Sequence, residues 1–407
     1  MRKENIFVIG FGEEGLDGIP LASRQLIKRA DILVGGTRHL SKVITGSEMR
    51  VDWSNGIKAA LDIIENNQKS SVVVLASGDP LNFGIGKNII DRFGVGCVKI
   101  IPAPGAFSLA AARMGWSLPD VNCLTVHGRP ISSVNLHLVD GERLLILSRD
   151  ATTPGELAAM LTSKRFGSSE ITVLANLGGE ESRLQGIAEA WEYEPGQDLN
   201  TIAVLCRAKK DCKEVSMSRA PGLPDDLFEH DGQITKREVR ASTIARLAPL
   251  PRRVLWDIGA GSGSIGIEWL RCEPSAKAVA IECDPERIAR IVKNSKNLGV
   301  PDLQVIQGEA PKVLSEITIA PDVVFVGGGV SIQGLLESCW SFLPTGGRLV
   351  ANGVTAEAEQ SLLQFQKKYA GDLVRFSVSR SNKIGKLESY SIFKPMMAVT
   401  QLITEKN

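Results

Sequence analysis

The sequence predicts an α/β protein of two domains, each on a mostly parallel sheet. Two observations carry the prediction. Short apolar runs alternate with helix-periodic segments along the chain, the pattern of strands joined by crossover helices. Two glycine-rich junctions follow apolar runs near opposite ends: Val8-Ile9-Gly10-Phe11-Gly12-Glu13-Glu14-Gly15, and Val254-Leu255-Trp256-Asp257-Ile258-Gly259-Ala260-Gly261-Ser262-Gly263-Ser264-Ile265-Gly266. Glycine there lets the backbone turn sharply and approach a ligand with no Cβ in between. Two such loops, of different kinds, point to two separate small-molecule sites.

The elements follow in order. In the first half, strands are expected at 6–9, 32–34, 72–76, 98–101, 122–126, 143–147, 171–175 and 201–206. Helical periodicity is clearest at 21–30, 56–66, 108–114 and 154–161. Residues 209–224 mix charges, serines, Pro221, Gly222 and Pro224 without periodicity, and read as a linker between domains at 1–208 and 225–407. The second half gives strands at 254–258, 278–282, 303–307, 323–326 and 348–351. Helices follow the glycine loop, start at Pro285 and lie near 334–340, and runs at 373–378 and 397–403 could close the sheet edge.

A chain of 407 residues is long enough for domains with cores of their own. A net charge of +1 offers no bulk attraction to nucleic acid or an anionic membrane. No apolar stretch suits a signal peptide or a membrane span, so a cytoplasmic protein is expected. The seven cysteines contain no C-x-x-C pair, which favours reduced thiols over disulfides or zinc. The four histidines form neither H-E-x-x-H nor H-x-H, so no metal site is expected.

The second loop fits two patterns. Gly261-Ser262-Gly263-Ser264-Ile265-Gly266 satisfies the dinucleotide fingerprint G-x-G-x-x-G, and Asp257 through Gly263 satisfies D-x-G-x-G-x-G. Asp257 tips the choice, because a carboxylate there attracts a cationic ligand and repels a pyrophosphate. Glu282 ends the next strand and can accept from both ribose hydroxyls of either kind of nucleoside, so it does not discriminate. Gly308-Glu309-Ala310, the run 321–329 and the turn Pro344-Thr345-Gly346-Gly347 follow in sequence. Together these features resemble the class I S-adenosyl-L-methionine (SAM) methyltransferases. The resemblance implies a Rossmann-like second domain and cofactor contacts from Asp257, Gly259, Ala260, Gly261, Ser262, Gly263, Glu282, Glu309 and Ala310. The lead-in segment from Pro221 to Arg240 is similar to that of precorrin C15-methylating, decarboxylating enzymes, which implies that Thr235 lies at the cofactor. Thr235 with Glu238 also fits a capping box, and both readings can hold.

In the first half, Gly78-Asp79-Pro80 follows a buried strand, Pro104-Gly105-Ala106 opens a small-residue helix, and Val126-His127-Gly128-Arg129 ends another strand. Each alone is ordinary turn chemistry. Their order and spacing resemble the tetrapyrrole methylases, the class III SAM methyltransferases. That implies a two-subdomain fold with cofactor contacts from Gly78, Asp79, Pro80, Gly105, Ala106, His127 and Gly128. The first loop departs from that family's G-x-G-P-G form, since Glu13 and Glu14 replace the Pro-Gly, which points to a substrate-side role. Asp31 through Leu40 matches the C5-methylating precorrin subfamily.

The pairing of both halves resembles the fused, decarboxylating precorrin C5,15-methyltransferases of cobalamin biosynthesis. It implies two SAM sites per chain, methylation of precorrin-6Y/6B at C5 and C15, and loss of the C12 acetate carboxyl. No nucleic-acid or membrane partner is expected, and a homo-oligomer is. Glu229, His230 and Asp231 are candidates for the acid that assists decarboxylation; alternatively they cap the linker and face water. Arg129, Arg240, Arg380, Lys383 and Lys386 are candidates for the substrate's carboxylates. A nicotinamide oxidoreductase, and a class I nucleic-acid methyltransferase with an unrelated first domain, are the alternative readings.

Overall fold

The computed structural model describes residues 5–44, 49–53, 56–67, 69–209, 217–384, 387–395 and 399–406, with 381–384 and 387–395 described by their backbone alone. The chain forms two compact units, Met1–Arg129 with His137–Ser216, and Pro130–Leu136 with Met217–Asn407.

The first unit begins with β1 (Ile6–Phe11), α1 (Leu21–Lys28), β2 (Ile32–Gly35), α2 (Thr37–Leu40), β3 (Met49–Asp52), α3 (Ile57–Asn66), β4 (Val72–Ser77), α4 (Gly86–Phe93) and β5 (Val98–Ile101). Its strands form a parallel sheet in the order β3-β2-β4-β1-β5. β4 is apolar from Val72 to Ala76 because both of its faces are covered there. Val72 and Val74 enter one core with Ile64 and Ile89, while Val73 and Leu75 enter another with Ile27. A second sheet follows from β6 (Asn122–Thr125), β7 (Arg143–Leu147), β8 (Glu170–Ala175), β9 (Ser182–Ile187) and β10 (Asn200–Leu205), with α5 (Ala106–Met114) before β6 and α6 (Thr153–Ser163) before β8. Its order is β6-β7-β10-β8-β9, and only β6 and β7 run parallel. This corrects the expectation of parallel architecture throughout. The small residues of α5 let it lie close on this sheet, where Phe107, Ala110 and Ala111 meet Leu145, Leu174 and Ala203.

The second unit contains α7 (Arg237–Leu247), β11 (Val254–Ile258), α8 (Ser264–Cys272), β12 (Lys277–Glu282), α9 (Pro285–Asn297), β13 (Gln304–Gln307), β14 (Val323–Val326), α10 (Leu335–Phe342), β15 (Arg348–Gly353), α11 (Ala356–Tyr369) and β16 (Asp372–Phe376). The hairpin β17 (Ser379–Ile384) and β18 (Leu387–Pro395) precedes β19 (Val399–Glu405). The seven-stranded sheet runs β13-β12-β11-β14-β15-β19-β16, parallel as far as β15 and antiparallel at β19 and β16. The strand order reverses at β11, which leaves a crevice beyond the carboxyl ends of β11 and β14.

Three boundaries differ from expectation. Residues 217–224 belong to the second unit rather than to a linker: Glu268 on α8 accepts the Gly222 and Leu223 N–H groups at 2.7 and 2.9 Å, and Leu223 is in the core. Residues 130–136 also join that unit, where Asn135 donates to the Lys296 carbonyl at 3.0 Å. No capping box forms, because Lys236 is the N-cap of α7 and Glu238 pairs with Arg380 at 2.6 Å. Among the described residues, no helix is long and apolar enough to cross a membrane.

Candidate functional site

In the second unit a cavity of about 860 Å³ opens at the carboxyl ends of β11, β12 and β14. The run from Asp257 to Ser262 forms its floor. Gly259, Gly261 and Gly263 all have positive φ, at +68°, +60° and +77°, a region that other residues enter at a cost. Two of them also have no room for a side chain. A Cβ on Gly259 would come within 3.0 Å of the Gly328 backbone, and one on Gly263 within 2.9 Å of Ile291. At Gly261 a Cβ would meet only the Gln233 carbonyl oxygen, at 3.8 Å, so the open space there faces the cavity.

Asp257 is 1% exposed and lines this cavity. Its Oδ2 accepts from the Gly266 N–H at 3.0 Å, while Oδ1 has no partner. Burial pushes its carboxyl up to about 7; the Gly266 N–H works against that and the Glu282 charge adds to it. Glu282 accepts from the Gly261 N–H through Oε2 (2.8 Å) and from the Cys283 N–H through Oε1 (2.9 Å), so the end of β12 is tied to the glycine loop. Thr235, Ala260, Ser262, Glu309 and Ala310 also line the cavity as expected, whereas Gly263 does not: it packs on Ile291 behind the loop.

The first unit's cavity, about 450 Å³, is lined from both of its sheets. Gly78 has φ +54°, and a Cβ there would lie 2.5 Å from the Gly105 Cα, so the two predicted loops interlock. Gly78, Asp79, Gly105, Ala106 and His127 line the cavity. Pro80 and Gly128 do not: the Pro80 carbonyl instead accepts the Gly86 N–H at 2.8 Å, fixing the loop behind.

Comparisons with known proteins give these two sites a family. A family described as "Tetrapyrrole (Corrin/Porphyrin) Methylases" matches residues 5–188, and a "Precorrin methyltransferase domain" matches residues 226–406. A precorrin-6Y C(5,15)-methyltransferase [decarboxylating] of Sinorhizobium sp is 43% identical over 97% of this chain and 94% of its own length. The chain belongs to the decarboxylating precorrin-6Y C(5,15)-methyltransferase family. It is therefore a C-methyltransferase that uses SAM. Two shorter relatives match parts of it. A cobalt-precorrin-7 C(5)-methyltransferase of Salmonella typhimurium is 29% identical over 49% of this chain and 97% of its own length. A probable cobalt-precorrin-6B C(15)-methyltransferase (decarboxylating) of Saccharolobus solfataricus is 34% identical over 36% of this chain and 77% of its own length. These relatives lend no support to the dinucleotide or nucleic-acid readings.

Within this precorrin methyltransferase, other candidates fall away from the cavities. Arg240 is fully buried and serves the fold. It donates to Glu268 at 2.7 Å, to Asp225 at 3.1 Å and to the Thr235 carbonyl at 2.5 Å, with its guanidinium over the Phe228 ring. That corrects its assignment to substrate. Arg380 pairs with Asp225 and Glu238. The Lys383 side chain and Lys386 lie outside the described residues. Arg129 is exposed, 5.6 Å above the Phe83 ring of the first cavity. Glu229 pairs with Lys293 at 2.5 Å, His230 Nδ1 accepts the Gly232 N–H at 2.9 Å, and Asp231 pairs with Arg287 and Arg290. The cavity lining starts just beyond them, at Gly232.

Two important side chains were missed from sequence. Asn294 accepts the Glu229 N–H and donates to the Glu229 and Ser262 carbonyls at 3.0 Å, pinning the lead-in segment to the glycine loop. Asn352 lines the cavity and is held by Thr243 (3.1 Å) and Gln401 (2.6 Å). A polar residue in an otherwise apolar strand end was the available signal for Asn352.

Proposed function

We propose that each unit holds its own SAM and acts on a different carbon of precorrin-6Y/6B. The first unit methylates C5; the second methylates C15 and releases the C12 acetate carboxyl as CO₂, within corrin-ring assembly for cobalamin. The observation that supports this most is the buried Asp257 oxygen left without a partner on a glycine-lined cavity. A cationic ligand satisfies it; a pyrophosphate does not. The two shorter relatives, named for the C5 and C15 activities separately, support the division of labour.

When bound, SAM supplies a methyl group made electrophilic by its sulfonium. In the second unit Asp257 would hold the ammonium end, Glu282 the ribose hydroxyls, and Glu309 and Ala310 the adenine. In the first unit the same task falls to Gly78, Asp79, Gly105, Ala106 and His127. The macrocycle's enamine-like meso carbon is itself the nucleophile, so the walls need to position it and exclude water rather than supply a strong base. Decarboxylation breaks the bond to CO₂ and drains its electron pair into the conjugated ring. Thr235 and Lys236 line the cavity where the acetate would sit, which favours them over Glu229, His230 and Asp231 as its partners.

Incubation of the full chain with SAM and precorrin-6B tests the reading by mass. The product should gain two methyl groups and lose one CO₂, and SAM should saturate at two per chain. A single methyl gained, or one SAM bound at saturation, overturns it.

A further inference from the structure

The first cavity contains a charge cluster that no step above uses. Arg38 and His39, both on α2, line it. One arm of the Arg38 guanidinium pairs with Glu13, and the other reaches His39 Nε2 at 3.1 Å and Ser77 Oγ at 3.3 Å. Glu13 is shared: its second oxygen pairs with Lys42, whose Nζ also donates to the Glu13 carbonyl at 2.8 Å. One carboxylate thus serves two cations. His39 is 6% exposed, and burial, helped by the Arg38 and Lys42 charges, pushes its imidazole down to about 4. A neutral ring can accept from Arg38 through Nε2. Its Nδ1 is buried without a partner, so the ring is held through Nε2, by Arg38 and by Ser77 Oγ at 3.3 Å, and by its ring contact with Phe11.

We infer that Arg38, positioned by His39, receives a peripheral carboxylate of the tetrapyrrole in the first unit's cavity. The Glu14 charge acts on Lys42, whereas among the described residues Arg38 pairs with no carboxylate but Glu13, and the arginine fork is the geometry that takes a carboxylate bidentately. Glu13 can remain on Lys42 while the substrate acid takes the cavity side of Arg38. His39 is a positioning residue, since it would act through the guanidinium. The inference rests on the proposal that this cavity carries out C5 methylation.

The test measures methyl incorporation at C5 and at C15 separately in the full chain. Arg38→Ala should raise KM for the C5 step by about tenfold or more, with kcat nearly kept and the C15 step and CO₂ release unchanged. His39→Leu should move the same KM in the same direction, and His39→Gln, whose amide oxygen can accept from Arg38, should restore it. Should Arg38→Ala fail to fold, Arg38→Gln gives the same reading. An unchanged C5 KM in a variant with wild-type melting overturns the inference. So does a fall in both steps together with a lowered melting temperature, which would mark a merely structural role. Absence of C5 methylation in the wild type would overturn the proposed function instead.

Discussion

The second unit makes its cavity floor from one continuous stretch, Asp257 to Ser262, whereas the first assembles its cavity from separate loops on two sheets. The charges differ as well. The second cavity keeps a buried carboxylate oxygen with no cation, and the first keeps two cations around one carboxylate. One site presents a buried carboxylate and the other an arginine. Under the proposed division of labour, similar transfer chemistry does not require similar walls, and each cavity should fail in its own way.

The largest expected effect breaks the first cavity alone. A Cβ at Gly10 would sit 2.1 Å from the Gly78 carbonyl oxygen and 2.5 Å from the Ala103 nitrogen, backbone atoms that cannot swing aside. Gly10→Ala should cost that unit about 3 kcal/mol and abolish C5 methylation, while C15 methylation continues. Product mass and a melting curve check it; C5 transfer at the wild-type rate would show that the loops do not interlock as described.

The next effect belongs to the second cavity. Asp257→Asn keeps an acceptor for the Gly266 N–H but removes the charge, and should weaken SAM binding there by about 2–3 kcal/mol, leaving the first site alone. Because the folded-state pKa of Asp257 is raised, its stabilising contribution is full below the ordinary carboxylate range and is lost as pH rises through about 7. A cationic ligand needs the ionised form. SAM affinity at the second site should therefore fall roughly tenfold per pH unit below about 7, a slope that Asp257→Asn removes. Calorimetric titration across pH measures both. The smallest effect is expected at Glu229, an exposed ion pair, and His230, which only accepts the Gly232 N–H: their alanine variants should keep CO₂ release within about threefold. A hundredfold loss would return the acid role to them.

Much of this contrast was legible in the sequence. The strands at 98–101, 143–147, 254–258 and 323–326 match end for end, because apolar runs bounded by polar or turn residues leave little choice of register. β3 and β9 were missed because they are sheet-edge strands of mixed polarity, and in β3 only Val51 is buried. The contiguous glycine loop could be read directly, since the residues it brings to the cavity are neighbours in sequence. The Arg38 cluster could not, as Glu13, Arg38, Lys42 and Ser77 meet only once β1, β2 and β4 are paired. Arg240 was misread because a guanidinium looks alike in sequence whether it is solvated or fully buried. Glu268 did leave a trace: it stands between Ile267 and Trp269 in a helix buried from residue 264 to 271.

The bonds around Glu268 also decide where this chain can be divided. Its carboxylate gathers the Gly222 and Leu223 amides and the Arg240 side chain, and Arg271 reaches the Ser218 carbonyl at 3.1 Å. A fragment beginning at residue 226, where the domain match starts, would strip Glu268 of both backbone amides and Arg271 of the Ser218 carbonyl. One beginning at 217 retains them, so the shorter excision should be insoluble and the longer one should fold.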